Sequence, residues 1–494
     1  LLILFRGYFF MKRILCFLLS AVSLVALMIG AVGCKDSESG ECVYEITAEY
    51  VPETATLTAM MKVEYKNTTA NEISELKFNL YPNAYREDAA YQPVSAVYSS
   101  SAYYAGKSYG SMEISSVDGA KNWEIKGEDE NILSVSLEES LFPGDKVNLN
   151  ICFLTKLAKI NHRTGVGQKS VNLGNFFPIL CAYTDDGFYE CVYYSDGDPF
   201  FSECASYKVT LTVPKDYTVA ATGKITSERT LESKKEYVMS ATNVRDFAIV
   251  LSDCFEVAES KWEGIDIRYY YYNDEKPAAH LAAAQEALAY YSSTFGKYPY
   301  ETYSVVQTGF CYGGMEFPGL VLISDALTEE NCLYTIVHET AHQWWCVAVG
   351  SNQVENAWQD EGLTEYSAAL FFENHPDYGF TREQLIADAL AEYRSYYNVY
   401  SQVFGDADTR MTRSLKDYLS EYEYRSIAYD KGAILFDTLR TSIGDKRFFA
   451  GLKRYYSGYK FKTAEPEDMI GCFEKSGVDV AGFFDSFLSG KAVI

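Results

Sequence analysis

The sequence predicts two successive domains, an antiparallel β domain followed by a domain in which helices dominate. Period-two alternation of apolar and polar residues begins at Cys42. Proline and glycine turns separate β-rich runs up to about residue 259, and long alanine-rich helical segments begin only near residue 278. We therefore predict a β sandwich or curved sheet at residues 42–259 and a second, more helical domain at residues 260–494.

Composition and charge describe a large folded protein. The chain has 494 residues, 48% of them hydrophobic and 15% aromatic, and this composition excludes a disordered chain. The formal net charge is −25 at pH 7. A broad basic surface that could neutralise phosphates is not expected on such a chain, so we predict no nucleic-acid partner.

The amino terminus has the pattern of an export signal. Lys12 and Arg13 precede an apolar run over residues 14–33, and Cys34 follows it. This pattern is typical of a bacterial lipoprotein, in which residues 1–33 are removed and Cys34 carries the lipid. The alternative is an uncleaved transmembrane anchor, for which about 20 apolar residues suffice. Both interpretations place the protein outside the cytoplasm at the cell membrane, with residues 34–41 as a tether.

The pattern H-E-T-A-H at residues 338–342 carries the most chemistry. Helical positions four apart share a face, so His338 and His342 can provide two ligands of a tetrahedral Zn²⁺ site. Glu339, beside the first ligand, can reach a water molecule at the metal without ligating it. Glu361, after 18 intervening residues, is the natural third ligand. We expect one Zn²⁺ per chain with an open fourth position.

Local signals place these residues on two helices. Thr328 is predicted to cap a helix over residues 329–349, and Asp360 to cap the next one, so that Glu361 lies in a first turn. Cys346 follows His342 by four residues on the first helix. Because a second step of four residues drifts around the helix and rises along it, we interpret Cys346 as a core thiol and not as a ligand.

Three separate motifs resemble the aminopeptidase N family of gluzincin metallopeptidases. The first is the zinc signature itself. Residues 313–317 (G-G-M-E-F) are similar to the family's G-x-M-E-N exopeptidase motif, and residues 428–432 (A-Y-D-K-G) are similar to its Y-x-K-G segment. The resemblance runs from about residue 42 to the end, and it implies an amino-terminal β saddle followed by a thermolysin-like zinc metallopeptidase domain.

The resemblance implies a role for each matching residue. The roles are substrate binding for Gly313, Gly314, Met315 and Glu316, zinc ligation for His338, His342 and Glu361, general base for Glu339, and oxyanion donor for Tyr429. Glu316 would bind the free α-ammonium of the substrate. Tyr424 is expected to assist Tyr429. Glu365 either orients a ligating histidine or is exposed to solvent.

Two departures from the family pattern concern recognition of the amino end. Phe317 replaces the asparagine of the exopeptidase motif. Residues 175–178 (N-F-F-P) occupy the region of a glutamine-containing substrate motif without matching it. The chain ends at Ile494, about where the thermolysin-like domain should finish, so we expect a cleft more open than in long family members.

These observations predict an exported zinc aminopeptidase. It would remove N-terminal residues from peptides with a free N-terminus by attack of a zinc-activated water. One alternative is a zinc endopeptidase that uses the same chemistry in an open cleft. The other is a non-catalytic peptide-binding protein at the cell surface.

Overall fold

A computed structural model describes residues 42–494. The predicted signal, the lipidated Cys34 and the tether lie outside the described residues. The described residues belong to one compact unit. Within the described part of the chain, no helix has both the length and the apolar character needed to cross a membrane.

Strands make up most of the first half of the described chain, and five more strands, β20 to β24, lie in its second half. In chain order they are β1 (Cys42–Val51), β2 (Thr56–Lys66), β3 (Ile73–Asn79), β4 (Ser111–Asp118), β5 (Ala120–Lys126), β6 (Ile132–Leu141), β7 (Lys146–Lys156), β8 (Thr164–Val166), β9 (Val171–Leu173), β10 (Ile179–Leu180), β11 (Tyr183–Thr184), β12 (Gly187–Phe188), β13 (Ala205–Pro214), β14 (Thr218–Ala221), β15 (Lys224–Leu231), β16 (Lys234–Val244), β17 (Ile249–Ser252), β18 (Glu256–Trp262), β19 (Ile265–Tyr271), β20 (Thr302–Thr308), β21 (Gly314–Met315), β22 (Leu320–Ser324), β23 (Val349–Gly350) and β24 (Lys462–Thr463).

Three larger sheets and the two-stranded β11-β12 hairpin form the described β-rich part. A seven-stranded sheet has the order β15-β16-β13-β1-β2-β7-β4, and two four-stranded sheets have the orders β10-β3-β6-β5 and β14-β17-β9-β8. Alternate residues of β1 are buried, from Cys42 to Tyr50, which confirms the predicted period of two. One pairing differs from the antiparallel prediction, because β1 and β13 run parallel with Ile46 opposite Val209. Parallel neighbours need a long connection, and here eleven strands lie between them in the chain.

Helices dominate the second half. They are α1 (Ser99–Ala102), a single turn in the β-rich part, then α2 (Pro277–Thr294), α3 (Glu329–Ala341), α4 (Leu363–Asn374), α5 (Arg382–Phe404), α6 (Glu421–Arg425), α7 (Lys431–Ile443), α8 (Asp445–Tyr459), α9 (Pro466–Glu474) and α10 (Ala481–Leu488). Short 3₁₀ turns lie at Tyr81–Tyr85, Pro376–Tyr378 and Leu415–Asp417, and π-helical turns at Trp358–Gly362 and Ser426–Asp430.

A mixed five-stranded sheet connects the two parts, with the order β18-β19-β20-β22-β21. Strands β19, β20 and β22 are parallel, and the short β21 pairs antiparallel to β22 at one edge. The predicted domain boundary at residue 259 falls inside β18, and the division into domains stays a prediction. Helices α2, α3 and α4 enclose a core with Tyr291, Trp344 and Trp345, all nearly inaccessible to solvent.

Helix α3 is shorter than predicted, and it ends at Ala341. Thr328 caps it as expected, since its side chain accepts a hydrogen bond from the Asn331 N–H at 3.3 Å. After His342 the chain turns sharply, and Cys346 takes a φ of 107° in the left-handed region. The interpretation of Cys346 as a helical core residue is therefore wrong. Trp344 and Trp345 lie in this turn and are almost wholly buried, so the turn contributes two large side chains to the core.

Candidate metal centre and active site

The three predicted zinc ligands meet at one point. The Nε2 atoms of His338 and His342 are 3.1 Å apart. Oε2 of Glu361 lies 3.3 Å from Nε2 of His342 and 3.6 Å from Nε2 of His338. All three side chains are buried. His338 and His342 come from the end of α3, and Glu361 comes from the π-helical turn before α4.

The triangle of ligand atoms has the dimensions of a zinc site. Zinc bonds to nitrogen and oxygen ligands are about 2.0–2.1 Å long, so neighbouring ligand atoms in a tetrahedral site lie about 3.4 Å apart. The three separations here, 3.1, 3.3 and 3.6 Å, bracket that value. Two imidazoles and one carboxylate are also a donor set typical of catalytic zinc. The residues present therefore fit one Zn²⁺.

Each ligating histidine is held by a carboxylate on its other nitrogen. Nδ1 of His338 lies 2.9 Å from Oε2 of Glu365, and Nδ1 of His342 lies 2.7 Å from Oδ1 of Asp360. This arrangement puts the protons on Nδ1 and directs both Nε2 lone pairs towards the metal position. The structure thus favours the orienting role of Glu365 over solvent exposure. Its Oε1 also accepts a hydrogen bond from the hydroxyl of Tyr334.

Asp360 has a different place from the one predicted. The preceding residue Gln359 belongs to the same π-helical turn, which starts at Trp358, so no free helix end is available for Asp360 to cap. Its carboxylate instead contacts His342 and accepts a hydrogen bond from the side-chain amide of Gln353. The cap prediction is wrong. Asp360 directly precedes the third ligand Glu361 in the sequence, and this position is the signal from which its place at the metal centre could have been predicted.

The electrostatic field of the centre favours positive charge. Burial opposes the charged form of His338, yet hydrogen bonds with Glu361 and Glu365 raise its pKa to about 10. Burial likewise opposes ionisation of Glu361, but the charge of His342 and hydrogen bonds to both histidines hold the pKa of this carboxyl well below its ordinary value. A site that stabilises extra protons in this way will also stabilise a divalent cation.

Glu339 faces the same centre and sits directly against a glycine. A Cβ atom at Gly314 would lie 2.3 Å from Oε1 of Glu339, so only glycine leaves room for this carboxylate. Burial, and in addition the neighbouring Glu316 and Glu361, raise the pKa of Glu339 to about 8 against the opposing effect of His338. A carboxylate with such a raised pKa can both accept and return a proton near neutral pH.

Tyr429 lies over the first ligand. Its ring is parallel to that of His338, with centroids 6.0 Å apart, and the ring of Tyr424 meets it edge-on at 5.7 Å. Two glycines let the tyrosine approach the metal ligands, because a Cβ atom at Gly432 would lie 2.5 Å from the Cα atom of Gly362. The two π-helical turns that carry Tyr429 and Glu361 thus pack directly on each other.

Glu316 is a buried carboxylate next to the metal ligands. Its ligand atom, with those of Glu339 and His342, lies within a group whose members are no more than 4.8 Å apart. Among the described residues no Lys or Arg lies within 4.0 Å of it. Burial, followed by Asp360 and Glu361, raises the pKa of Glu316 although His342 lowers it.

Cys346 stands beside Glu316, with Sγ 3.7 Å from Oε1. The sharp turn after α3 brings it there, so this thiol faces the predicted amino-end pocket. Gln353 donates to the same sulfur atom at 3.3 Å. Sequence reasoning missed Gln353, which belongs to no motif, and it missed the contact of Cys346 with Glu316, which depends on the irregular turn.

The two departures from the family pattern lie in contact with each other. Phe317 is buried, and a Cβ atom at Gly174 would lie 2.2 Å from its ring. The carbonyl of Phe317 accepts a hydrogen bond from the side chain of Gln343 at 3.2 Å. Phe317, Asn175 and Glu316 line one small cavity of about 50 Å³. The region of the missing glutamine motif therefore does lie at the predicted amino-end pocket.

A larger cleft opens on the other side of the centre. It has a volume of about 670 Å³ and is lined by His338, Glu339 and Tyr429 together with residues 195–198 of the β-rich part. Gly313 and Gly314 form part of its wall, and Gly314 and Met315 make up the edge strand β21. The structure thus brings every predicted site residue to one region.

Comparison with known proteins agrees with this geometry. Residues 279–487 match the family described as peptidase family M1 domain. Aminopeptidase M1-D of Oryza sativa subsp. japonica is 26% identical over 305 residues, which are 55% of this chain and 32% of that protein. Aminopeptidase N of Lactococcus lactis subsp. lactis is 27% identical over 228 residues, which are 42% of this chain and 26% of that protein. The chain thus spans about a third or less of the curated relatives it matches.

A solved structure shares the fold over nearly its whole length. It is a variant of the M1 zinc metallopeptidase from Deinococcus radiodurans bound to a Tyr-Ser-Ala substrate, with a TM-score of 0.63 and 16% identity. The match covers 92% of this chain and 95% of that chain. Together with the converging zinc ligands, the family match supports one conclusion: residues 279–487 carry a peptidase family M1 domain, and the described chain has the fold of an M1 zinc metallopeptidase.

Proposed function

We propose that the protein is a zinc-dependent aminopeptidase that removes N-terminal residues from peptides. The observation that carries this proposal is the buried carboxylate of Glu316, close to Glu339 and His342. A buried carboxylate without a basic partner is costly unless a cation joins it. The α-ammonium of a peptide is such a cation, and its binding there places the first peptide bond beside Glu339.

Zinc would be held by His338, His342 and Glu361, and when bound it supplies a Lewis acid that polarises the scissile carbonyl and makes water more acidic. The chain's own residues do the rest. Glu339 takes a proton from the attacking water and delivers it to the leaving amine. The hydroxyl of Tyr429 donates a hydrogen bond to the carbonyl oxygen as negative charge develops on it.

The edge strand β21 is suited to hold the substrate backbone. Gly314 and Met315 pair with β22 on one side only, so their other side can pair with an extended peptide. Gly313 precedes this strand and lines the cleft. A peptide added here would run between Glu316 and the open cleft, with its first peptide bond near the metal position.

Reporter peptides with free and blocked amino ends test the proposal. We expect zinc-dependent hydrolysis of alanine 4-nitroanilide, and little or none of its N-acetylated form. Glu316→Ala should lower kcat/KM for the free-amine substrate by about 100-fold or more, since a hydrogen-bonded charge pair is lost, while the zinc content stays at one per chain. Efficient cleavage of blocked peptides, unaffected by Glu316→Ala, would refute the aminopeptidase assignment.

The second candidate is an endopeptidase with the same metal centre. The open cleft of about 670 Å³ supports it, because such a cleft can admit a chain on both sides of the scissile bond. It predicts cleavage of internally quenched peptides whose two ends are blocked. A non-catalytic peptide-binding protein is less well supported, since the base Glu339 and the donor Tyr429 both face the metal ligands.

Export and lipid anchoring through Cys34 are also part of the proposal, and they rest on the sequence pattern of residues 11–34. Expression of the full chain in bacteria with radiolabelled palmitate tests them. We expect label on the wild-type protein in the membrane fraction and none on Cys34→Ala. Label on both proteins would contradict attachment at Cys34, and an unlabelled wild type that stays with the membrane would favour the uncleaved anchor.

A further inference from the structure

Arg425 is a basic residue in the active-site cleft that no motif accounts for. It is the last residue of α6, directly before the π-helical turn Ser426–Asp430 that carries Tyr429. Its side chain is exposed and lines the same cleft as His338 and Glu339. Tyr429 follows Arg425 by four residues along the chain.

The guanidinium of Arg425 has no partner that neutralises it. Among residues 42–494 no carboxylate lies within 4.0 Å of it, and its nearest charges are those of Glu421 and Asp430. The oxygen of Glu421 accepts a hydrogen bond from the hydroxyl of Tyr98 at 2.8 Å. The other arginine that lines the cleft, Arg163, is buried and paired with Asp198 at 2.7 Å.

The surroundings of Arg425 are strongly acidic. The described residues that line the cleft include these two arginines and seven carboxylates, which are Asp196, Asp198, Asp325, Glu339, Glu365, Glu421 and Asp430. Arg163 is already paired with Asp198, so Arg425 is the arginine of this cleft that is available to a peptide carboxylate. Guanidinium groups bind carboxylates through two parallel hydrogen bonds, with a geometry that lysine cannot reproduce.

Arg425 and Glu316 line different cavities at the reacting centre, Glu316 the small one and Arg425 the larger cleft. The charges that act most strongly on Glu316 are those of His342, Asp360 and Glu361, whereas those that act most strongly on Arg425 are those of Glu421 and Asp430. A short peptide carries an ammonium at one end and a carboxylate at the other, which is the complementary arrangement of charges.

We propose that Arg425 binds the terminal carboxylate of short peptide substrates. Arg425 thereby selects short free peptides over protein amino ends. This inference rests on the proposed aminopeptidase function, since it takes Glu316 as the seat of the ammonium.

Binding and turnover of matched peptides test the proposal. The ligands are Ala-Ala-Ala and its C-terminal amide, which differ only in the carboxylate. Calorimetry on the zinc-loaded Glu339→Gln protein should show the acid binding about 10-fold to 100-fold more tightly than the amide, the range for a hydrogen bond to a charged group. Adding Arg425→Gln should remove this preference, and Arg425→Lys should keep part of it.

Turnover by the enzyme with Glu339 intact distinguishes carboxylate binding by Arg425 from the aminopeptidase activity itself. Arg425→Gln should raise KM for Ala-Ala-Ala much more than for alanine 4-nitroanilide, which has no carboxylate. Glu421→Gln, the matched change of a neighbouring charge of opposite sign, should leave the preference for the acid in place. A preference that survives Arg425→Gln, or an equal loss for acid, amide and anilide, overturns the proposal. An Arg425-dependent preference in binding without any wild-type turnover supports it and refutes the aminopeptidase function.

Discussion

The metal half and the substrate half of this site are built on opposite electrostatic principles. On the metal side, the ring nitrogens of His338 and His342 that face away from the metal contact the carboxylates Glu365 and Asp360. On the substrate side, Glu316 and Arg425 have no partner of opposite charge within 4.0 Å among the described residues. The comparison teaches that the chain itself supplies charge partners for its metal ligands, whereas the two charges proposed to bind the substrate are left unpaired among the described residues.

Substitution of Glu339 should abolish most of the catalysis while the metal site keeps its zinc. Glu339→Gln keeps the size of the side chain next to Gly314 but cannot take a proton, so kcat should fall by about 10²-fold to 10⁴-fold. Zinc content, measured by atomic absorption, should stay at one per chain. Loss of zinc together with activity would show that Glu339 supports the metal site instead.

Removal of the orienting carboxylates should weaken the metal half alone. Glu365→Gln and Asp360→Asn each keep the shape but lose the charge that holds a histidine ring, and zinc affinity should fall by about 10-fold to 100-fold in each. Competition with a chelator measures this affinity. At saturating zinc, KM for Ala-Ala-Ala should change little, and a large rise in KM would contradict the separation of the two halves.

A methyl group at Gly432 should disturb the contact between the elements that carry Glu361 and Tyr429. Gly432→Ala places a Cβ atom 2.5 Å from the Cα atom of Gly362, and overpacking of this kind costs about 1–3 kcal/mol in the free energy of unfolding. Gly458→Ala is the matched control, because Gly458 lies in α8 with no atom within 4 Å of the added Cβ. It should be neutral or stabilising by up to about 1 kcal/mol. Urea unfolding compares them, and equal effects would refute the close-contact explanation.

The buried His162 contrasts with the two ligating histidines, and its expected effect, on the pH dependence of stability, is smaller. His162 contacts the hydroxyl of Tyr85 at 2.5 Å, and no carboxylate of the described residues pairs with it. Burial, and after it the charge of Arg163, holds its pKa well below the ordinary value. The histidine of the unfolded chain therefore takes up a proton as the pH falls below about 6.5 while the folded one does not, so stability present above that pH is lost on acidification.

This loss of stability is expected to appear as a difference in unfolding free energy between the wild type and a variant without the histidine. Between pH 7.5 and 5.5 the wild type should lose about 1.4 kcal/mol of unfolding free energy relative to His162→Gln. Urea unfolding of both proteins at the two pH values measures it, and effects of the many other titrating groups cancel. An equal pH dependence of the two proteins would show that His162 is protonated in the folded state as well.

Much of the site was accessible from the sequence, because its strongest signals are local. The spacing of His338 and His342, the cap at Thr328 and the alternation along β1 each depend on neighbours within a few residues, and the structure confirms all three. The residues that escaped prediction, such as Gln353, lie on irregular backbone. Asp360 was misplaced for the same reason, since a π-helical turn does not follow the helical period on which the capping prediction relied.

The sequence by itself determined which chemical groups the protein carries and which of them lie on one helical face. Only the tertiary structure decided which carboxylate orients each histidine, how close Gly362 comes to Gly432, and that Arg425 lines the cleft. The physical reason is separation along the chain. Glu316, His338 and Tyr429 lie up to 113 residues apart, and packing between elements, not local spacing, sets their distances. Local periodicity therefore predicted the ligands of the H-E-T-A-H helix, and long-range packing built the site around them.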